Sequence, residues 1–205
     1  MSSLTFKPVI AIVQARMGSS RLPGKVLLDL EGAPMLARVV ERARRAGLLD
    51  EVAVATTTQP EDDAVEDLCR QRGYPVYRGS AFDVLDRYYQ AARGFDARTV
   101  VRLTADCPFI DPVEIDRVVR VFVDSGVDFA ANRLPWGRTV PIGLDTEVCS
   151  FAALERAWQE AREPYEREHV MPYLYDQEGR FKVKLVNRRP DYGYYRWTVD
   201  TPEDL

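Results

Sequence analysis

The chain has 205 residues, 46% hydrophobic and 29% charged, with a formal net charge of −4. That balance excludes disordered and collagen-like classes, suits one α/β domain, and lacks the basic excess of a general nucleic-acid binder. Three separated cysteines (Cys69, Cys107, Cys149) and a single histidine supply neither a CxxC pair nor a zinc set.

The first apolar strand opens at Val9 with no charged region and long apolar core before it, and no 18-residue apolar run follows. No leader and no membrane span are expected, and the setting reads as reducing and cytoplasmic. Residues 9–13 are apolar and β-branched, the pattern of a buried strand. A loop containing Gly and Ser comes next. Over 35–46, Leu36, Val39, Val40 and Ala43 recur at helical spacing, with Arg38, Arg42 and Arg45 as a solvated face and Gly47 as the stop. Residues 51–56 form a second strand, and 61–72 a helix opened by acidic residues and closed by Gly73. A short strand at 76–77, a helix at 83–92 and a strand at 99–104 follow. Asp111-Pro112 then opens a helix running to about 125.

Strand and helix alternate from 9 to 125, which predicts an α/β, three-layer α/β/α architecture around a mostly parallel mixed sheet. After Asp128 the rhythm breaks. Residues 134–137 read as loop, 146–148 as a strand and 150–163 as a helix capped by Ser150. Alternation over 181–186 predicts a half-exposed strand, and 194–199 is a further strand candidate. This second half extends the same sheet and adds an arm, within one domain.

Three stretches carry chemistry. In open α/β sheets ligands meet the carboxyl ends of strands, and residues 14–25 directly follow the first one. Gly18 and Gly24 permit close backbone approach, Ser19 and Ser20 add hydroxyls, and Arg16, Arg21 and Lys25 bring three cations suited to phosphate. Gly24-Lys25 is followed by Val26, so the Walker pattern is not met. A basic surface loop would explain the cations alone; their conjunction with glycines and serines favours phosphate binding. Asp106, in Thr104-Ala105-Asp106-Cys107-Pro108, ends another strand. Its carboxylate suits Mg²⁺ beside a triphosphate, and a turn cap ahead of Pro108 explains it equally well. Asp200 ends the 194–199 candidate, with Thr201 and Pro202 starting a helix that the chain only opens.

His169 reads as an acceptor contact rather than an acid–base group, although its ordinary pKa suits either. Tyr192, Tyr194, Tyr195 and Trp197 are expected to pack on a strand, leaving Arg196 to face the crevice. Cys107 reads as a packing residue.

Residues 14–25, the Thr104 to Pro108 element and the ending at 199–205 together resemble the cytidylyltransferase family, which includes the CMP-sialic-acid and CMP-KDO synthetases. The likeness is strongest to the branch of spore-coat polysaccharide biosynthesis protein F, and it covers nearly the whole chain. It implies a Rossmann-like nucleotide-diphospho-sugar transferase fold, CTP as donor, Mg²⁺ as cofactor and often a homodimer. The implied reaction transfers CMP to an acidic sugar or related acceptor with release of pyrophosphate. Residues 1–128 would then be the nucleotide-binding half and 129–205 the acceptor-binding half. Arg16, Ser20, Arg21 and Lys25 would hold the triphosphate, with Ala15, Gly18, Ser19 and Thr104 around the nucleotide. Asp106 and Asp200 would hold Mg²⁺, completing a catalytic set with Arg16, Arg21 and Lys25. Arg78 and Asp83 fall where the family contacts base and ribose. Asp145, Glu147, Arg167, His169 and Arg196 fall on the acceptor side. Neither nucleic acid nor membrane is an expected partner. A nucleotidyltransferase using another NTP or a phosphonate acceptor, and a non-catalytic nucleotide-binding protein, stay open. A glycosyltransferase would more comfortably carry a DxD element, which is missing.

Overall fold

The computed structural model describes residues 6–205. The expectation of no leader ahead of Val9 falls on residues 1–5, which lie outside the described residues. In chain order the elements are β1 (Val9–Gln14), α1 (Met35–Ala43), β2 (Glu51–Thr57), α2 (Asp63–Arg72), β3 (Val76–Gly79), α3 (Val84–Gly94) and β4 (Thr99–Thr104). They continue with α4 (Pro112–Ser125), β5 (Phe129–Ala131), β6 (Arg133–Leu134), β7 (Gly137–Arg138) and β8 (Glu147–Ser150). Then come α5 (Phe151–Glu160), α6 (Pro164–His169), α7 (Pro172–Tyr175) and β9 (Val183–Leu185).

Among the described residues seven strands form one sheet in the order β3-β2-β1-β4-β8-β5-β9. The first four are parallel, and β8 reverses the direction against both β4 and β5. β1 lies centrally and is buried along nearly its whole length, as its continuous apolar sequence requires when helices cover both faces. On one face Leu36 and Val40 of α1, Val65 of α2 and Ile115 of α4 pack on Val13 and Leu103. On the other, Leu85 and Tyr88 of α3 and Leu154 of α5 pack on Ile12 and Val100. Each fully buried Leu or Ile contributes about 1.5–3 kcal/mol, so the two layers hold the sheet rim rigid beneath any site built there. The register sets Gln14 beside Thr104 and Arg102 beside Glu147 along that rim.

The capping expectations hold for α4 and α5: Asp111 accepts from Val113 N–H at 2.9 Å, and Ser150 from Ala153 N–H at 3.1 Å. Gly73 ends α2 in the left-handed region, at φ 65°. β9 is the expected half-exposed strand at the sheet edge, where Lys184 discourages further pairing.

Four expectations are corrected. Residues 134–137 belong to a small hairpin, with β6 and β7 antiparallel around Pro135-Trp136. Residues 194–199 form no strand: the segment bridges Ile142 alone, through Trp197 N–H to its carbonyl (2.7 Å) and its N–H to the Tyr195 carbonyl (2.9 Å). Gly143, at φ +105°, allows this approach, since a Cβ there would lie 2.7 Å from the Trp197 carbonyl oxygen. The aromatic residues of the segment therefore face solvent, with Tyr194 72% exposed. The basic face of α1 is not free, because Arg42 donates to the Ile110 carbonyl at 2.8 Å and Arg38 to that of Leu30 at 3.0 Å. The helix predicted over 150–163 ends at Glu160, and Pro164 and Pro172 each start a short helix that sequence periodicity does not reveal. Among the described residues no helix is long and apolar enough to cross a membrane.

Candidate active site

The loop leaving β1 is folded by its own backbone. The Met17 carbonyl accepts from Ser19 N–H (2.8 Å) and Gly24 N–H (2.9 Å), and Gly24 takes φ 71° to close the turn. Buried Asp62 anchors the loop by accepting from Met17 N–H at 2.7 Å and from the Thr57 hydroxyl. Sequence assigns Asp62 no role of its own, and its signal is the acidic start of the following helix. So held, the loop and the strand ends enclose a cavity of about 320 Å³. Ala15, Arg16, Gly18, Ser19, Ser20 and Arg21 line it, together with Lys25, Gln14, Thr104, Asp106 and Asp200. The expected loop residues and both expected strand-end carboxylates thus share one wall-to-wall space.

Lys25 is the centre of the charge arrangement and is only 9% exposed. Its Nζ donates to Asp106 Oδ2 (2.9 Å), Asp200 Oδ1 (2.9 Å) and the Val199 carbonyl (3.2 Å). Burial pushes the ammonium pKa down, but the Asp106 and Asp200 carboxylates outweigh it and hold the pKa above its ordinary value. Burial likewise pushes the Asp106 carboxyl up, and Lys25 with the Thr104 hydroxyl outweighs that and holds it down. Asp200 also accepts from Arg21 at 2.9 Å and from the Thr198 hydroxyl at 3.1 Å. Arg16 is exposed and forms no salt bridge among the described residues, so its charge is available to the cavity.

A second cavity of about 270 Å³ adjoins the first and shares Thr104 and Asp106 with it. Its charges are mostly paired in advance. Asp145 is gripped by Arg138 at 2.6 and 3.1 Å, a bidentate pair. Glu147, 2% exposed, accepts from Arg102. Burial pushes Arg102 down, but Glu147 more than compensates and keeps it charged. Arg133 reaches Glu147 only at 3.8 Å and keeps 43% of its side chain exposed. His169 packs at a tilt against Tyr165 with ring centroids 4.6 Å apart, and both line the space. Asp145, Glu147 and His169 therefore line one space. Tyr165 belongs to the 165–169 stretch that resembles the family's acceptor side, whereas sequence reasoning misses Arg133; Arg133 follows the three-residue β5, and a strand end is the signal that marks it. Cys107 is buried here, its thiol pushed well up by burial and Asp106, which fits packing.

The remaining expected residues lie elsewhere. Arg78 bonds Asp63 (2.6 Å), Glu66 (2.8 Å) and the Thr57 and Gln59 carbonyls (2.8 and 2.9 Å), fastening β3 to α2. Asp83 caps α3 through Asp86 N–H (2.8 Å) and accepts from Arg167, which also donates to the Trp158 carbonyl (2.7 Å). That pair fastens α6 to α3 and lines neither cavity. Arg196 is spent on Asp204 and the Thr198 hydroxyl (2.9 Å), so it supports the Asp200 turn instead of facing the crevice.

Two carboxylates converging on one cation, open to a phosphate-sized cavity, fit Mg²⁺, which takes one or two carboxylates and completes its shell with phosphate oxygens and water. A metal site made by protein alone is not present, since no group of three or more His, Cys, Asp or Glu could hold an ion among the described residues.

This sheet order, with its cleft over the strand ends, is the fold of the nucleotidyltransferases. The structure of a cytidylyltransferase from Leptospira borgpetersenii matches it with a TM-score of 0.90 and 37% identity, covering 96% of this chain and 83% of that one. The chain belongs to the cytidylyltransferase family, whose model matches residues 10–203. It is 33% identical to the spore coat polysaccharide biosynthesis protein SpsF of Bacillus subtilis, over 96% of this chain and 82% of that protein. It is 32% identical to a 3-deoxy-manno-octulosonate cytidylyltransferase of Anaeromyxobacter dehalogenans, over 96% and 94% of the two.

Proposed function

We propose that this protein transfers CMP from CTP to an acidic sugar or related anionic acceptor, releasing pyrophosphate, in the synthesis of a surface polysaccharide or glycoconjugate. The observation that carries the proposal is the junction of the two cavities at Asp106: one is lined by cations, the other by paired charges and aromatic rings. Arg16, Ser19, Ser20 and Arg21 take the distal phosphates, and Lys25 neutralises charge on the leaving pyrophosphate. The second cavity orients the acceptor so that its oxygen attacks the α-phosphorus from the side opposite the loop, and positioning supplies much of the rate. Asp106 and Asp200 would hold Mg²⁺, which supplies charge neutralisation at the α-phosphate and a lowered pKa for the attacking hydroxyl. The choice of cytosine rests on family membership and on the names of the relatives, not on a residue that reads the base. A cytoplasmic homodimer is part of the same proposal, and sedimentation checks the dimer.

The direct test is pyrophosphate release with each of the four NTPs, Mg²⁺, and a panel of acidic sugars and phosphonates. Release with CTP and one acidic acceptor is the expected result. No release with any pair, despite measurable nucleotide binding, would make the protein a binder on this scaffold.

A further inference from the structure

Gln14 has no part in the scheme above, yet it lies beside Thr104, which lines both cavities. It ends β1 and lines the first cavity. Its side-chain Oε1 accepts from Arg102 Nε at 3.2 Å. A guanidinium has donors only, so the amide atom facing it must be the oxygen, and the Nε2 hydrogens turn away from Arg102. Nε2 has no hydrogen-bond partner among the described residues, and it is not among the buried orphaned atoms, so it is open to a ligand.

Arg102 is itself fixed from beneath. It donates to the buried Glu147 and lies 6.0 Å over the Tyr88 ring. The Tyr88 hydroxyl is held by the Ile12 and Leu103 carbonyls at 3.0 and 3.1 Å. Arg102 lines the second cavity, and Thr104, the neighbour of Gln14 across the sheet, lines both. The Nε2 donors are therefore held at the seam by a row running from Glu147 through Arg102.

Resting on the nucleotidyl-transfer proposal, the location follows from charge. The exposed cations Arg16 and Arg21 lie on the loop side of the first cavity and match the phosphates that leave as pyrophosphate. The phosphoryl group that is transferred must lie where the acceptor cavity opens. We infer that Gln14 donates a hydrogen bond to a non-bridging oxygen of the α-phosphoryl group, with Arg102 as its positioning residue. A neutral donor there gains strength as charge builds on that oxygen in the transition state.

The test is calorimetry on the full chain with Mg²⁺ and three probes: CTP, CMP and inorganic pyrophosphate. Failure of the unaltered protein to bind CTP would sink the nucleotidyl-transfer proposal itself. Given that binding, Gln14→Glu retains a partner for Arg102 but removes the donor and adds a negative charge. It should weaken CMP and CTP at least tenfold and leave pyrophosphate within twofold. Gln14→Met should give a smaller loss with the same pattern. Arg102→Lys, which keeps a charge for Glu147 but frees the amide, should copy the Met variant. The side-chain ¹⁵N resonance of Gln14 should shift with CMP and not with pyrophosphate. Unchanged CMP affinity in Gln14→Glu, or equal losses for CMP and pyrophosphate, would overturn the inference. So would a change confined to the preference for CTP over UTP, which would make Gln14 a reader of the base.

Discussion

The two cavities handle charge in opposite ways. In the first, Arg16 and Arg21 present their charges outward, Arg21 being 65% exposed, while Lys25 bridges two carboxylates that also suit a metal ion. In the second, Asp145 is closed by Arg138 and Glu147 by Arg102, and Arg133 alone keeps a largely open charge. The first is prepared to receive several negative charges at once. The second is neutralised pair by pair, so shape and hydrogen bonding count for more than field. They touch at Asp106, which belongs to both.

The largest expected effect breaks the first cavity at its centre. Lys25→Met leaves Asp106 and Asp200 without their shared cation, and losing one partner of a largely buried ion pair costs about 3–5 kcal/mol. Its pH dependence carries a definite sign. The lowered Asp106 pKa contributes stability that is full above the ordinary value of 3.8 and is lost as pH falls through the folded value. The raised Lys25 pKa contributes stability that is full below 10.5 and lost as pH rises past the folded value. Between these limits the unaltered protein should show no dependence from this group. In Lys25→Met the Thr104 hydroxyl remains but the main opposing charge is gone, so burial raises the Asp106 pKa and acid relieves the variant. Urea midpoints from pH 8 to pH 4 should converge; a gap of constant size would show that Lys25 does not hold these carboxylates.

Asp106→Asn comes next. It keeps the volume and a hydrogen bond to Lys25 but removes the charge common to both cavities. A fall in kcat of about 10²–10³ is expected, comparable to the loss of one preorganised electrostatic group. Unaltered Mg²⁺-dependent turnover would remove Asp106 from the metal-binding set. Arg133→Gln sharpens the contrast from the other side. It should raise KM for an anionic acceptor roughly tenfold, the loss of a single charge-assisted hydrogen bond, and leave CTP affinity unchanged. A matching loss of CTP affinity would mean that the second cavity does not act separately.

The contrast also explains what could be read from the chain. Strands and helices through 125 are legible because each carries its own periodicity and caps: Asp111-Pro112 and Gly73 act within a few residues of themselves. The loop cations are legible because they crowd into one short stretch with no acidic neighbour in sequence. The paired charges are not. Arg167 finds Asp83 across 84 positions, and Arg102 finds Glu147 across 45, so nothing local reveals that these charges are already satisfied. Alternating aromatics at 192–197 imitate a strand, while the ladder they would need stops at Ile142. Cytosine is legible only through family likeness, because no base-reading side chain stands out in the described cleft.

Arg78 offers the smallest effect and the cleanest separation of position from motif. Its likeness to a family contact would put it at the base or ribose, yet its guanidinium is satisfied four times over by Asp63, Glu66 and two carbonyls. Asp63 is 63% exposed, so that pair is screened and adds little; the Glu66 and carbonyl bonds are the better shielded ones. Arg78→Met keeps the aliphatic stem against β3 and α2 and leaves the two carbonyls to water. Loss of such bonds at a half-open site costs roughly 1 kcal/mol. The urea midpoint should therefore drop slightly while CTP affinity stays within twofold. A tenfold loss of CTP affinity would return Arg78 to the nucleotide site and require β3 to swing toward the loop on binding.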